Sequence, residues 1–308
     1  MKIQRALFLF LFSLFGLPAH ALTLTPQAVA PGIYAFIGET GGRTYENEAM
    51  NANTGFVVTT DGVVVIDSGA TFQVGRKIHE AIRSVTQQPV RLVINTGGQD
   101  HRWLGNSYFA TLGVPILGQE KMRADAEERG ALLIQSLRGE LKEKLDGTAV
   151  VPPNQTFADR TSLRVGETDF VLIHTAPAHT PGDSLVWLPQ TRTVFSGDIV
   201  FVDRLIGVLP FSNVAGVIAS FEAMAALDPE RIVPGHGAVC DLARATHDTH
   251  DYLVRLYGHM KQAVDKGDDL QTAIRSLDLG EWSKLPLFDV LNGGNASRAY
   301  LEAESAAF

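Results

Sequence analysis

Five short strings punctuate this 308-residue chain in a fixed order, each setting a His or Asp beside glycine or proline at or near the end of an apolar run. They are Asp67-Ser68-Gly69, Asn95-Thr96-Gly97-Gly98-Gln99-Asp100-His101, Ala178-His179-Thr180-Pro181-Gly182-Asp183, Ser196-Gly197-Asp198 and Pro234-Gly235-His236-Gly237. The runs at 63–66 and 90–94 are β-branched and almost continuously apolar, as in strands covered on both faces. Glycine lets the backbone pass close to a ligand, and proline fixes its approach. One such string is weak evidence, because a lone histidine beside glycine usually caps or packs. Five in series constrain the chain to a fold whose strand ends converge on one edge.

The remaining pattern is consistent with that requirement. Residues 32–38 read as a strand, and Asp61-Gly62 between 55–60 and 63–67 is a two-residue hairpin signal. Residues 71–86 have helical spacing at Val74, Ile78, Ile82 and Val85, and 119–145 predict one long helix or two. Strands follow at 162–165, 169–175, 184–188 and 192–196, with a turn at Gly166-Glu167. A helix is predicted at 214–227, a short strand at 231–233, and helical structure over 243–276 with Tyr252, Leu256 and Met260 on one face. Two strand-rich blocks, each followed by helices, predict an α/β fold: two packed sheets with helices outside, a four-layer α/β/β/α sandwich. Composition alone would serve a doubly wound sheet equally well; the strings favour the sandwich.

The first 21 residues stand apart. Lys2 and Arg5 precede an apolar run to about Leu17, and Ala19-His20-Ala21 supplies small residues around a larger one. That is the layout of a secretory signal, too short in its apolar part for the ~20 residues that span a bilayer. The expected mature chain is one domain over 22–308, periplasmic or secreted, with no membrane insertion after cleavage. It carries 24 basic against 34 acidic residues and no basic run, so nucleic acid and anionic lipid are poor partners. The single cysteine, Cys240, cannot form an internal disulfide and reads as a small buried residue rather than a nucleophile.

The order and spacing of the five strings resemble the metallo-β-lactamase superfamily over nearly all of residues 31–240. The tail at 295–300 resembles the ending of a periplasmic branch, the sulfur-oxidation- and quinoprotein-associated zinc metallohydrolases. The resemblance implies metal ligands at His179, Asp198 and His236. It also implies that Asp67 is a support residue whose carboxylate orients a neighbouring loop. Where the family carries His-x-His-x-Asp-His, this chain departs. Without gaps, Gly97 and Gln99 stand at the first two histidines, His101 at the aspartate and Arg102 at the last histidine. A one-residue slip instead places Asp100-His101 on the Asp-His pair. In both registers the first metal position loses two ligands: Gly97 has no ligand atom, and Gln99 offers a neutral amide, a poor ligand for zinc that is expected, like Asp67, to support the ligands rather than bind the metal.

The resemblance therefore implies a reduced site of one zinc held by His101, Asp198 and His236, with His179 as fourth ligand or neighbour. Iron or manganese would also accept such ligands. Metal-bound hydroxide would attack an ester, thioester, lactone or amide of a small-molecule substrate, with Asp100 and His101 in catalytic roles and Asp100 orienting water or fixing the His101 tautomer. Arg102 has two readings, a contact to a substrate carboxylate or a pair with Asp67 or Asp198 in place of metal charge. The second reading leads to a different class, a binding protein with no metal on the same fold. A di-iron oxidoreductase is a third, weakened by the missing ligands. Trp103 is expected in the core or pocket wall, 39–48 as a mobile polar rim, and His174, His247, His250 and His259 on strand or helix surfaces.

Overall fold

The computed structural model describes residues 22–307, so the predicted signal segment lies outside the described residues. A seven-stranded sheet is formed by β1 (Gln27–Ala30), β2 (Ile33–Phe36), β3 (Thr54–Thr59), β4 (Gly62–Ile66), β5 (Val90–Ile94), β6 (Ile116–Gln119) and β7 (Gln155–Phe157), in sequential order. A five-stranded sheet is formed by β8 (Arg160–Val165), β9 (Thr168–Ile173), β10 (Leu185–Leu188), β11 (Thr193–Phe201) and β12 (Arg231–His236). The β3–β4 hairpin turns as its sequence requires: Gly62 sits at φ 137°, and Thr59 Oγ1 donates to the Gly62 carbonyl.

One apolar layer lies between the sheets, with Val57, Val64, Ile66 and Ile94 from the first meeting Phe170, Leu172, Val186 and Phe195 from the second. The helices α1 (Phe72–Arg83), α2 (Asp100–Trp103), α3 (Asn106–Thr111) and α4 (Glu120–Leu141) follow strands of the first sheet. Val74, Ile78 and Ile82 of α1 close its outer face. The second sheet is covered by α5 (Val214–Ala225), α6 (Leu242–Ala245), α7 (Tyr252–Lys266), α8 (Leu270–Ser276) and α9 (Phe288–Ala307), which bury Phe221, Tyr252, Leu256, Met260 and Ala299. The expected four-layer sandwich is the observed one. No helix among the described residues is long and apolar enough to cross a membrane.

Departures from the sequence reading have local causes. Residues 119–145 form one helix ended by a 3₁₀ turn at Lys142–Leu145. The span 243–276 is three helices: a π-type turn at Thr246–Asp251 interrupts it, and Gly267 at φ 74° stops α7. His174 is not on the surface; it is buried, and its Nδ1 donates to the Asp183 carbonyl at 2.7 Å. Cys240 is half-buried, and burial pushes its thiol up to about 12, which disfavours the thiolate that a nucleophile needs.

Strand direction places the site. β4 and β5 are parallel, as are β11 and β12, so Asp67, the 95–101 loop and His236 leave the sheets at one edge. Gly197 at φ 52° bulges β11 there and brings Asp198 to the same place; a side chain at 197 would strike Thr96.

Candidate metal centre

His101, Asp198 and His236 converge from three elements: the single turn α2, the bulge of β11 and the end of β12. One donor atom from each lies within 4.8 Å of the others, and all three residues are buried. His101 Nε2 is 3.2 Å from Asp198 Oδ2, and His236 Nε2 is 3.3 Å from Asp198 Oδ1. His236 Nδ1 is 2.5 Å from the Asn51 carbonyl, which can only accept, so that nitrogen carries the proton. In the neutral ring Nε2 is then a bare lone pair facing a carboxylate oxygen. Only a cation between them, or a proton on the ring, makes that contact favourable. Burial pushes His236 down to about 4 despite Asp198, which favours the neutral ring. A divalent metal ion fits this arrangement.

His101 reads differently. Its Nδ1 faces Arg43 Nη2 at 3.2 Å, a donor, so Nε2 carries the proton and donates to Asp198. Holding a metal through Nε2 requires the other tautomer, with Nδ1–H turned to Asp100 Oδ1 at 3.4 Å. Burial holds the ring neutral, well below the usual histidine range, against the pull of Asp198.

Arg102 lies beneath the cluster, 1% exposed. Its Nε and Nη2 grip Asp198 at 3.1 and 2.5 Å, its Nη1 reaches Asp67 at 3.1 Å, and Nη1 and Nη2 also donate to the carbonyls of Asn53 and Gly235. Burial opposes the charges here, but Arg102 holds the Asp198 carboxyl well below the usual range, and the two aspartates keep Arg102 protonated. The pairing reading of Arg102 is therefore the one the geometry supports; the substrate-contact reading is corrected, because the guanidinium is sealed behind Asp198. Asp67 adopts φ 61°, unusual for a residue with a side chain, and in return accepts from Thr96 N and Oγ1, each at 2.7 Å.

A cleft of about 290 Å³ opens over the cluster and is lined in part by His101, His236, His179 and Gln99. His179 is buried with Nδ1 unpartnered, a neighbour of the three-donor group rather than a member of it. Asp100 is not one of the three donors: one oxygen is ion-paired with Arg43 and takes the His101 N–H at 2.8 Å, while Oδ2 is buried without a partner. Arg43 thus engages the same oxygen that stands 3.4 Å from His101 Nδ1, the contact expected of a residue that fixes the His101 tautomer. Trp103 is core, its Nε1 donating to Gly98 O.

The 39–48 rim is tied down rather than loose. Glu48 is buried against Lys77 and Lys144, and Asn47 caps the turn through Thr44 and Ala49. Arg43, Asn51, Asn53 and Arg204 were not visible as site residues. Asn53 stitches the 37–53 connection to the last string, donating to the Pro234 and Gly237 carbonyls.

The sequence profile of the metallo-beta-lactamase superfamily matches residues 48–236, well over half of the chain. The chain belongs to that superfamily. Its relatives include the 2,4-dinitroanisole O-demethylase subunit alpha of Nocardioides sp. (strain JS1661), 23% identical over 177 residues, covering 57% of this chain and 49% of the relative. Another is the metallo-beta-lactamase type 2 of Elizabethkingia meningoseptica, 25% identical over 162 residues, covering 51% of this chain and 55% of the relative. The chain spans about half the length of these curated relatives. Among solved structures, a metallo-beta-lactamase from Pontibacter korlensis superposes with a TM-score of 0.63 at 20% identity, over 75% of this chain and 99% of that one. The superfamily implies a metal, typically zinc, and includes hydrolases.

Within the superfamily pattern, the departure at Gly97 and Gln99 has a structural counterpart. Asn95 and Asn106 hydrogen-bond each other across the loop, and Gly105 packs so tightly on the Ser68 backbone that no side chain fits. Those anchors hold the two ends of the loop in place. The space beside Gly97 is filled by Asp183, which accepts from Thr180 N at 2.6 Å and also bonds Thr180 Oγ1. Burial first, then the charge of Asp198, pushes Asp183 up to about 8; burial pushes Asp67 up to about 6 against Arg102 and Thr96. Both carboxyls hold protons more tightly folded than unfolded, so they favour the fold at low pH and that contribution is lost as pH rises through their folded pKa values. Asp183→Asn keeps an acceptor and removes the ionisation. Its stability relative to the parent should grow between about pH 4 and about pH 8 by on the order of 1–3 kcal/mol. Urea titrations showing a constant difference across that range would refute the assignment.

Proposed function

We propose that this chain is an exported metal-dependent hydrolase with one metal, held by His101, Asp198 and His236, acting on an ester, thioester, lactone or amide of a small molecule. The observation that carries it is the bare His236 Nε2 facing Asp198 Oδ1 at 3.3 Å in a buried site, a contact that calls for a cation. When bound, zinc or another divalent metal supplies a Lewis acid and brings the pKa of a water to roughly 7. The protein's own residues do the rest. Asn51 O fixes the His236 tautomer, Asp67 holds the 96–102 loop through Thr96, and Arg102 fixes the orientation of Asp198. Phe201, Leu209 and Leu291 supply apolar walls to the cleft.

A second reading has its own observation. Arg102 already neutralises Asp198 with two hydrogen bonds, as a chain using the cleft for binding without a metal would require. Metal content separates the two. Protein purified without added metal, then incubated with zinc and dialysed, should retain about one equivalent. His236→Ala and His101→Ala should lose it, and hydrolysis of generic ester, thioester and lactone substrates should fall at least about tenfold with it. Retention below about a tenth of an equivalent favours the binding protein, and hydrolysis that survives His236→Ala overturns the metal mechanism. The names of the relatives point to different reactions, so they select no substrate.

A further inference from the structure

Three arginines approach the ligand group, and two of them are committed: Arg102 to Asp198 and Asp67, Arg43 to Asp100. Arg204 is the third. It follows β11, lines the cleft and is 7% exposed, yet among the described residues no carboxylate stands within ion-pair distance of it. Its Nη1 donates to the Gly41 carbonyl at a long 3.2 Å, and its Nε is buried with no partner. The 3.4 Å approach of Nη1 to His236 Nδ1 sets donor against donor, since that nitrogen is spent on Asn51. With one long hydrogen bond to Gly41 and the Phe201 ring centre 5.7 Å from its Cζ, this guanidinium is under-satisfied for its burial, and a bidentate carboxylate is the partner that best fits its planar fork.

We propose that Arg204 anchors a carboxylate on the substrate, and that the cleft takes a small organic monoanion whose apolar body lies along Phe201, Leu209 and Leu291. The inference rests on the one-metal reading in one respect. Asp67 and Asp198 share the single charge of Arg102, and a bound divalent cation turns that surplus of negative charge positive, leaving Arg204 without compensation even at long range. The single planar fork of Arg204 matches one carboxylate. The size of the cleft, about 290 Å³, suits a compact acid rather than a polymer.

The test is calorimetric binding to the zinc-loaded full chain of three acid and amide pairs: benzoate and benzamide, phenylacetate and its amide, 4-phenylbutanoate and its amide. At least one acid should bind about tenfold or more tighter than its amide. Arg204→Met should abolish that preference while keeping the zinc content of the parent and a melting temperature no lower, because it removes an unpaired buried charge; Arg204→Lys should keep part of it. His236→Ala, without metal, should still prefer the acid, so loss of the metal reading and loss of this one are separable. No preference in any pair, or a preference unchanged in Arg204→Met, overturns the proposal. Tighter binding of phenyl phosphate than of every carboxylate overturns the choice of carboxylate.

Discussion

Arg102→Ala should lower the stability of the chain, measured without added metal, by about 3–5 kcal/mol. The residue is sealed in the protein and makes five hydrogen bonds, three of them to the carboxylates of Asp198 and Asp67. Without it two buried carboxylates lose their counter-charge, and the Asn53 and Gly235 carbonyls lose a donor. Protonation of the aspartates would recover part of the loss, so the deficit should shrink toward low pH. Arg102→Lys keeps the charge but not the fork, and should fall between the two. Zinc should raise the melting temperature of Arg102→Ala by more than that of the parent, because a second cation can take over the charge of Asp198. Urea titrations with a loss below about 1 kcal/mol would show that the pair contributes no more than a surface salt bridge.

The sandwich was legible because it is written locally. The Asp61-Gly62 hairpin, the β-branched runs and the α1 spacing each depend on residues a few positions apart. Strands β6 and β7 were not, since three or four residues become a strand only by pairing with a neighbour supplied from elsewhere. The same division runs through the site. His179, Asp198 and His236 stand in strings with their own glycine and proline punctuation. Arg43 and Arg204 lie in loops without periodicity, and they gain meaning only from contacts to Asp100, 57 positions away, and to Gly41, 163 positions away. Arg102 stood midway: its chemistry was readable and its partner was not, because a long side chain can turn either into a cleft or beneath it.

Restoring the missing histidines should not restore a second metal position. A Cβ at Gly97 falls well inside contact with Asp183 Oδ1 and 3.6 Å from Thr180 Oγ1, while one at Gly98 would come within 2.5 Å of Asp125 Oδ2. The loop cannot slide to relieve this. Gly98 N donates to Thr180 Oγ1, Gly98 O accepts from Trp103 Nε1, and Thr96 is held by Asp67 on the other side. Gly97→His therefore drives Asp183 out of its pocket or breaks the loop, at a cost of about 3 kcal/mol or more. Gln99→His is milder, since that side chain already faces the cleft with its Oε1 unpartnered. The double variant should bind no more than one equivalent of zinc and melt well below the parent. Adding Asp183→Ser, which empties the contested space, should recover part of the stability. A double variant that keeps the parent's stability and takes up two equivalents would show that the steric account is wrong. The expected pattern places the loss of the first position in the packing of Asp183 against Gly97 as much as in the two missing ligands.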